Sequence, residues 1–392
     1  MDALSRRIWP LECRSLLQKA RRAAGCDDFG EPSVTPALSV LGSSLDHEAD
    51  LHPLGRFLMR AHLTGLLATR LRLVNEWREH TSPVEPIRAP LIITGMPRSG
   101  STFLHELLAQ DPANRVPQVW EVMFPVAGPR TGRRDPRIPR TEACLWFFRR
   151  LAPRADAVHP MRATTPQECV AIQSYTLLSE EFLTTSHVPS YEAFLHAADL
   201  TPAYAWERRF LQHLQPRGFA GRWVLKSPDH AYGLDALFSV FPDARVIQTH
   251  RNPADVLKSC VQLIEVLHGT FARARDRREH GMRESRVLAD SMERLIRFRE
   301  CRPDLEERFL DLNYRELVAD PMAAIERIYQ HAEMPLTPAA ARAMRQLVGL
   351  RSRYPTRRRG ASLSDFGIDA RAEATRFKHY CYRFGIPWQS SP

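Results

Sequence analysis

The stretch of sequence that decides the fold is Pro90-Leu91-Ile92-Ile93-Thr94-Gly95-Met96-Pro97-Arg98-Ser99-Gly100-Ser101-Thr102-Phe103-Leu104-His105-Glu106-Leu107-Leu108. Its first part, Leu91 to Thr94, is a short apolar run that is long enough for a buried strand and too short for a helix. Glycine and proline interrupt the run, and apolar residues recur at helical spacing after Ser101. A strand, a glycine-rich loop and a helix N-terminus in this order can hold an anion, because the loop N–H groups and the positive end of the helix dipole face it.

The kind of anion follows from what the loop lacks. Residues Gly95 to Thr102 match the spacing of the nucleotide-binding P-loop, G-x-x-x-x-G-K-[ST], but Ser101 stands at the lysine position. That lysine reaches the β- and γ-phosphates of ATP or GTP, so its absence argues against hydrolysis of a nucleoside triphosphate. The cation of the loop is Arg98, whose planar guanidinium suits an oxygen-rich anion. We therefore predict a phosphate-bearing ligand other than a nucleoside triphosphate.

Two motifs carry a resemblance to a known family. The segment Pro97-Arg98-Ser99-Gly100-Ser101-Thr102-Phe103-Leu104 resembles the 5′-phosphosulfate loop of sulfotransferases that use 3′-phosphoadenylyl sulfate (PAPS). Arg251 and Ser259, eight residues apart, resemble the pair that binds the 3′-phosphate in this family. The chain is identified as a PAPS-dependent, bacterial-type sulfotransferase, and the resemblance covers about residues 30 to 385. It implies PAPS as co-substrate, PAP as product, and the loop residues Pro97 to Phe103 with Arg251 and Ser259 as nucleotide contacts.

Three other residues are candidates for the chemical step. Lys226 ends an apolar run, and the carboxyl ends of strands are where open α/β sheets bind ligands. Lys226-Ser227-Pro228 resembles the Lys-Asp-Pro of tyrosylprotein sulfotransferases, whose lysine acts on the leaving phosphate. Related enzymes use a glutamate between the two PAPS motifs, which matches Glu168, whereas the cytosolic small-molecule sulfotransferases use a histidine, which leaves His230 as the alternative base. Glu168 is predicted in the first turn of a helix capped by Thr165, where a carboxylate also interacts well with the helix dipole.

A basic segment near the end of the chain is a further candidate for the 3′-phosphate. Arg358, Arg359 and Gly360 precede Ser362-Leu363-Ser364-Asp365-Phe366-Gly367, which resembles the closing segment of the family. Relatives commonly carry His-x-Tyr at this place. A clamp on the 3′-phosphate and a mobile basic loop both fit the sequence.

The order of elements predicts an α/β fold. Apolar runs near residues 91, 223, 245 and 309, separated by helical segments, indicate a central parallel sheet with helices on both faces. The resemblance implies the P-loop NTPase-like sulfotransferase fold. Residues 1–85 are predicted to be a helical N-terminal extension packed on the core, and residues 86–392 the sulfotransferase domain. Proline and arginine between Pro125 and Arg140 predict a long connecting loop.

The composition of the chain limits the classes of partner that we expect it to bind. The chain has 392 residues, 44% of them hydrophobic, and a net charge of +10 that is spread as arginine along the sequence. Spread arginine is typical of a solvated surface, so nucleic acid is not expected as a partner. Seven cysteines without a CxxC pair indicate neither a disulfide framework nor a zinc site. No signal-peptide core or spanning segment is recognised, so we expect a cytoplasmic protein without stable membrane insertion.

The resulting hypothesis is in-line transfer of a sulfuryl group from PAPS to a hydroxyl or amine. Arg98 and Lys226 would stabilise the developing charge, and Glu168 or His230 would accept the proton. No metal is required, because no acid is placed to hold one. The acceptor is left open among small molecules such as phenols, lipids, carbohydrates and peptides, and a homodimer is compatible with the sequence. The competing interpretations are a nucleotide-dependent kinase and a non-catalytic nucleotide-binding module.

Overall fold

A computed structural model describes residues 2–79, 85–126, 135–158, 160–352 and 361–389. The chain divides into two compact units. The first, which we call the helical unit, comprises Met1–Pro86, Pro117–Gln215 and Leu263–Ala274. The second, the sheet unit, comprises Ile87–Val116, Pro216–Gln262 and Arg275–Pro392. The predicted boundary between a helical extension and an α/β domain near residue 85 stays a prediction.

The sheet unit contains one parallel sheet. Its strands are β1 (Leu91–Gly95), β2 (Asn114–Arg115), β3 (Arg222–Lys226), β4 (Arg245–His250) and β5 (Phe309–Asn313). They lie in the order β2-β3-β1-β4-β5, and every neighbouring pair is parallel. This confirms the predicted parallel α/β sheet and its four strands; β2 was not predicted, because a two-residue strand leaves no period in the sequence.

Twenty α-helices lie within the described residues. In chain order they are α1 (Asp2–Ile8), α2 (Cys13–Ala24), α3 (Thr35–His47), α4 (Pro53–Glu79), α5 (Ser101–Leu108), α6 (Val119–Met123), α7 (Arg137–Leu151), α8 (Pro153–Val158), α9 (Cys169–Gln173), α10 (Glu181–Thr185), α11 (Pro189–Ala197), α12 (Thr201–Leu214), α13 (Leu234–Val240), α14 (Pro253–Phe271), α15 (Arg277–Cys301), α16 (Tyr314–Ala319), α17 (Pro321–His331), α18 (Pro338–Ser352), α19 (Ala370–Arg376) and α20 (Lys378–Phe384). Short 3₁₀ helices occupy Ser174–Thr176, Pro228–Tyr232, Pro303–Arg308 and Leu363–Phe366. None of these helices has an apolar stretch long enough to span a bilayer.

Helices cover the sheet of the sheet unit on both faces. Alternate residues of β1, Leu91 and Ile93, are fully buried against Leu104 of α5, Ile325 of α17 and Met344 of α18. Each such side chain contributes about 1.5–3 kcal/mol through removal of apolar surface from water. The alternation of side chains along a strand leaves the neighbouring positions for the opposite face.

That opposite face is closed by aromatic rings. Phe238 of α13 stacks on Phe298 of α15 with the ring centroids 5.7 Å apart. Phe309 of β5 approaches Phe238 at 5.9 Å and Phe298 at 6.3 Å. Because both faces are covered, the strands are buried and read as continuous apolar runs in the sequence.

The helical unit has its own apolar core. Leu38 of α3 and Leu63 of α4 are fully buried together with Phe182 of α10 and Tyr191 of α11. Tyr191 also donates from its hydroxyl to the carbonyl oxygen of Leu177 at 2.7 Å, so its polar end is paired inside the core. The N-terminal helices therefore share one core with α10 and α11.

A buried arginine fixes the chain around this core. Arg70 has no exposed surface and donates to the carbonyl oxygens of Phe29 (2.7 Å), Pro32 (2.7 Å) and Tyr175 (3.0 Å). Its guanidinium lies 4.1 Å above the ring of Trp206. Burial lowers the pKa of Arg70 to about 10, and the nearby acidic groups oppose that shift. The side chain thus stays charged near neutral pH, with backbone oxygens in place of water.

One predicted loop is partly a helix. The connection predicted from Pro125 to Arg140 includes residues 127–134, which lie outside the described residues, and α7 already begins at Arg137. Pro139 belongs to the predicted loop, but in the structure it lies in the first turn of α7, where its missing N–H would have no intrahelical partner. Arg137 supports this start by donating to Asp135 at 2.8 Å.

Candidate active site

The site forms where β1 leaves the sheet. In the pairing of β1 with β4, Gly95 lies beside Thr249. Gly95 has a φ of 121°, and a Cβ atom there would lie 2.3 Å from the carbonyl oxygen of Thr249. Glycine is therefore required for both the backbone conformation and the close approach of the two strands.

The loop after Gly95 is held from inside by a buried hydroxyl. Ser99 is fully buried and donates to the carbonyl oxygen of Met96 at 2.5 Å. Its Oγ also lies 2.6 Å from Oγ1 of Thr249, whose single hydroxyl proton is shared between Ser99 and the carbonyl oxygen of Thr94 at 3.1 Å. Ser99 shapes the loop through these bonds, and its predicted contact with the nucleotide stays a prediction.

The predicted helix after the loop begins at Ser101, but neither Ser101 nor Thr102 is its N-cap. Gly100 is the N-cap of α5 and has a φ of 90°. A Cβ atom at Gly100 would lie 2.9 Å from the ring of Tyr314, so this position also requires glycine. The N–H groups at the start of α5, from Ser101 onward, lie at the positive end of the helix dipole, which is the arrangement that binds anions.

The structure brings the two predicted nucleotide motifs together. Arg98 adopts a φ of 64°, a conformation that is costly for a residue with a side chain. Its Nε donates to Oγ of Ser259 at 2.9 Å, and Nη1 of Arg251 donates to the carbonyl oxygen of Arg98 at 2.7 Å. The guanidinium of Arg251 lies 4.3 Å above the ring of Tyr314. The prediction that Arg98, Arg251 and Ser259 serve one site thus has a geometric basis.

Lys226 lies at the same edge of the sheet. It is the last residue of β3, pairs with Ile93 of β1 and is only 2% exposed. Its Nζ donates to Oγ1 of Thr102, on the first turn of α5, at 3.3 Å. The alternative base, His230, follows in the 3₁₀ helix Pro228–Tyr232 and is 1% exposed. Three cationic side chains, Arg98, Lys226 and Arg251, thus lie at the carboxyl ends of β1, β3 and β4, respectively.

A charge network behind Arg251 was not predicted. His250, which directly precedes Arg251, lies with Nε2 2.8 Å from Oδ1 of Asp311 and Nδ1 3.0 Å from the hydroxyl of Tyr380. Arg299 donates to both carboxylate oxygens of Asp311, at 2.7 and 3.0 Å. Burial alone would raise the pKa of Asp311, but the hydrogen bonds from His250 and Arg299 hold it well below its usual range. The β4–β5 register, with Asp311 beside Gln248, creates this network, and no sequence motif marks it.

Glu168 belongs to the helical unit. The predicted position in the first turn of a helix is wrong: α9 begins at Cys169, and Glu168 is its N-cap residue with φ −80° and ψ 149°. The preceding Pro166 pairs in an isolated bridge with Gln118, so the chain is extended there rather than helical. Glu168 is half-buried. Its predicted role as the base stays a prediction.

The helical unit contains a second carboxyl group of unusual character. Glu207 of α12 is fully buried and accepts from Nε2 of Gln173 at 2.8 Å. Burial raises the pKa of Glu207 to about 7, and hydrogen bonds with Cys169 and Gln173 oppose that shift only in part. No sequence motif singles out Glu207, because a glutamate on a helix is ordinarily exposed.

The predicted basic clamp cannot be placed. Arg358, Arg359 and Gly360 lie outside the described residues. The segment that follows them does take a defined form: Ser362 and Asp365 form a reciprocal capping box around the 3₁₀ helix Leu363–Phe366.

Fold and site together define a class of protein. The sheet unit combines a parallel sheet, a glycine-rich loop without the P-loop lysine, and cations at three strand ends, which is an arrangement that suits a multiply charged anion. Residues 90–338 match the model of the Sulfotransferase family. The chain belongs to this family, and the predicted family and fold are confirmed.

Named relatives agree with this assignment. The chain is 30% identical to sulfotransferase STF1 of Mycobacterium tuberculosis H37Rv, over 93% of this chain and 98% of that one, with a TM-score of 0.81. For STF9 of Mycobacterium avium the identity is 27%, the coverage 97% and 98%, and the TM-score 0.82. A third relative, the omega-hydroxy-beta-dihydromenaquinone-9 sulfotransferase Stf3 of Mycobacterium bovis, is 27% identical over 259 residues. That match spans 62% of this chain and 62% of Stf3.

Proposed function

We propose that this chain is a sulfotransferase that moves a sulfuryl group from PAPS to a hydroxyl group of its acceptor and releases PAP. The observation that carries the proposal is the contact between the two nucleotide motifs, in which Arg98 donates to Ser259 and Arg251 donates to the carbonyl oxygen of Arg98. A binding site for one phosphate would need only the first motif. The second motif supplies a separate cation for a second phosphate, which PAPS carries at its 3′ position.

The nucleotide contacts divide between the two motifs. The loop N–H groups before α5 and the side chain of Arg98 bind the 5′-phosphosulfate. Arg251 and Ser259 bind the 3′-phosphate, for which the guanidinium offers paired donors. The ring of Tyr314 beneath Arg251 restricts the guanidinium to this orientation. Less of the arginine's conformational entropy is then lost when the phosphate binds.

The chemical step is an in-line displacement at sulfur. The acceptor oxygen forms a bond to sulfur, and the bond between sulfur and the bridging oxygen of the phosphosulfate breaks, leaving PAP. Lys226 stabilises the charge that builds on the bridging oxygen, and Arg98 stabilises the sulfuryl oxygens. The acceptor proton passes to a base, for which Glu168 and, as the alternative, His230 are the candidates. The step as written consumes no redox equivalent and requires no metal.

The acceptor class is proposed from the named relative. Stf3 acts, by its name, on an omega-hydroxylated dihydromenaquinone, which is an apolar molecule with a hydroxyl group. We therefore propose a hydroxyl on a lipid-like acceptor first, and small phenols and carbohydrates after it. Two other hypotheses predict different results. A kinase would bind ATP with magnesium, and a non-catalytic module would bind the nucleotide without turnover.

Calorimetric titration tests the donor site. We expect the purified chain to bind adenosine 3′,5′-bisphosphate and to ignore ATP with magnesium. Arg251→Ala removes charged hydrogen bonds that contribute about 1.5–3 kcal/mol, so the bisphosphate should bind roughly 10–150-fold more weakly. The matched control is Arg302→Ala, because the Arg302 side chain is 43% exposed and pairs with its near neighbour Asp304 at 2.7 Å. Binding of ATP without binding of the bisphosphate would refute the proposal in favour of a kinase.

A further inference from the structure

One side of α7 exposes large apolar side chains. Trp146 is 57% exposed, Phe147 56% and Leu151 37%. The other side of the same helix is anchored, because Thr141 is fully buried and Leu145 is 5% exposed. The helix is thus fixed on the helical unit by one side and presents two aromatic rings and a leucine on the other.

The exposed side is also positively charged. Arg140, seven residues before Phe147, and Arg150, four residues after Trp146, share this side by helical spacing and are exposed. The guanidinium of Arg150 lies 5.4 Å from the ring centroid of Trp146. The acid of α7, Glu142, has a side chain that is 40% exposed, but its carboxylate is already paired: it accepts from the N–H of Ala163 at 2.6 Å and lies 3.5 Å from Arg149. The outward side of α7 therefore carries cations and rings without a free carboxylate.

We propose that this surface, defined as Arg140, Trp146, Phe147, Arg150 and Leu151 and called the α7 face, docks onto a membrane with anionic lipid headgroups. Trp, Phe and Leu enter the boundary between headgroups and acyl chains, where rings of this kind partition. The arginines keep their charge at headgroup level while their stems lie along the apolar layer. Each pairs with the negative surface potential of the leaflet. The proposal rests on this surface alone and goes beyond the transfer reaction.

The positive charge of the α7 face favours a membrane over a second copy of the chain as its binding partner. In a two-fold contact the same patch meets itself, so Arg140 and Arg150 would approach their own symmetry mates. The α7 face offers no carboxylate to compensate them, and like charges brought together across an interface are unfavourable. An anionic lipid surface satisfies the rings and the cations at once.

Co-sedimentation with vesicles tests the proposal on the full chain. Vesicles of equal parts phosphatidylglycerol and phosphatidylcholine are compared with pure phosphatidylcholine at low salt. Arg140→Gln with Arg150→Gln should weaken binding to the anionic vesicles by about 30-fold, since each arginine near the surface contributes about fivefold. Trp146→Ser with Phe147→Ser should weaken it by more than about tenfold. Pure phosphatidylcholine should bind the wild-type chain weakly.

Matched controls keep the result specific. Arg342→Gln with Arg345→Gln changes the net charge equally on the exposed side of α18, and Tyr382→Ser removes a ring that is 89% exposed on α20. Both controls should bind anionic vesicles as the wild type does. Because α7 belongs to the helical unit, every variant is checked for its fold by circular dichroism and urea unfolding. Titration with adenosine 3′,5′-bisphosphate then reports an intact sheet unit.

Three results overturn the proposal. The first is that both α7 variants bind anionic vesicles as tightly as the wild type. The second is that the control variants lose as much vesicle binding as the α7 variants. The third is a wild-type dimer in lipid-free sedimentation equilibrium that Trp146→Ser with Phe147→Ser dissociates, which would make the α7 face a contact between copies. Bisphosphate binding in the same samples separates all of these from failure of the proposed function.

Discussion

Replacing Asp311 by asparagine tests whether the network behind Arg251 stabilises the fold. Asp311 accepts from His250 at 2.8 Å and from Arg299 at 2.7 and 3.0 Å. The side chain of Arg299 is only 3% exposed. When Asp311 is replaced, Arg299 therefore loses one of its two carboxylate partners and water cannot take its place. Its pairing with Glu306 at 2.6 Å remains.

The magnitude follows from this partial burial. Breaking a fully buried ion pair costs about 3–5 kcal/mol, whereas an exposed pair contributes about 0–1 kcal/mol. The side chain of Asp311 is 39% exposed, so solvent screens it in part. We expect Asp311→Asn to lower the free energy of unfolding by about 2 kcal/mol, close to the contribution of one charged hydrogen bond. In urea, with an m-value near about 3 kcal/mol/M, the midpoint falls by roughly 0.7 M.

The sign of the pH dependence is fixed by the lowered pKa of Asp311. The pKa of this carboxyl group is lower in the folded chain than in the unfolded chain. Its contribution to the stability of the fold is therefore complete at pH values above the pKa of the unfolded chain, which is about 4. That stability is lost as the pH falls toward the folded pKa. The difference between wild type and Asp311→Asn should therefore be constant from pH 8 to about pH 5 and shrink below about pH 4.

Asp304→Asn is the matched control for this experiment. Asp304 also meets an arginine, with Oδ2 2.7 Å from Nη2 of Arg302, but both side chains are exposed. Urea unfolding followed by circular dichroism should show no measurable change for Asp304→Asn. Equal destabilisation by the two substitutions, or a difference that grows on acidification, would refute the reasoning.

Three further predictions concern the loop, a buried acid and the base. Gly100→Ala should destabilise by about 1–3 kcal/mol in urea, because φ is 90° and the new Cβ meets Tyr314, whereas Gly65→Ala, with open space around it, should not destabilise. Burial raises the pKa of Glu207 to about 7, so the wild type should lose stability as the pH rises from about 4.5 to 7, where the unfolded chain has already released this proton. Glu207→Gln should remove this loss. A pH profile of urea unfolding that is the same in the variant would contradict the prediction. Glu168→Gln should slow transfer by about 10²–10⁴-fold at unchanged bisphosphate affinity, and the same loss in His230→Gln alone would assign the base to His230.

The sequence predicted the positions of the strand ends better than the long-range contacts that surround them. The strand ends at Gly95, Lys226 and His250 could be predicted because buried strands bounded by glycine or proline leave a local signal. Parallel strands then place their carboxyl ends at one edge, so the convergence of distant motifs follows from topology. That is why Arg98 and Ser259, 161 residues apart, could be expected in one site.

Long-range pairing explains what could not be predicted. Asp311 meets His250 because β5 pairs with β4 in one particular register, and a register shift by one residue would turn its side chain to the other face. Arg70 contacts carbonyl oxygens from Phe29 and Tyr175, and backbone acceptors leave no residue-type signature. The start of α9 after Glu168 was missed because the bridge to Gln118 extends the chain where a proline suggested a helix.

The central claim is sulfuryl transfer, and product analysis tests it most directly. The chain is incubated with PAPS and, in turn, an omega-hydroxylated polyprenyl quinone, a phenol and a hydroxylated carbohydrate, and mass spectrometry follows PAP and the sulfated acceptor. We expect the two products in equal amounts, with turnover lost in Lys226→Ala while bisphosphate binding persists. Tight bisphosphate binding with no sulfated product from any acceptor, in wild type as in Lys226→Ala, would contradict the account and indicate a binding module.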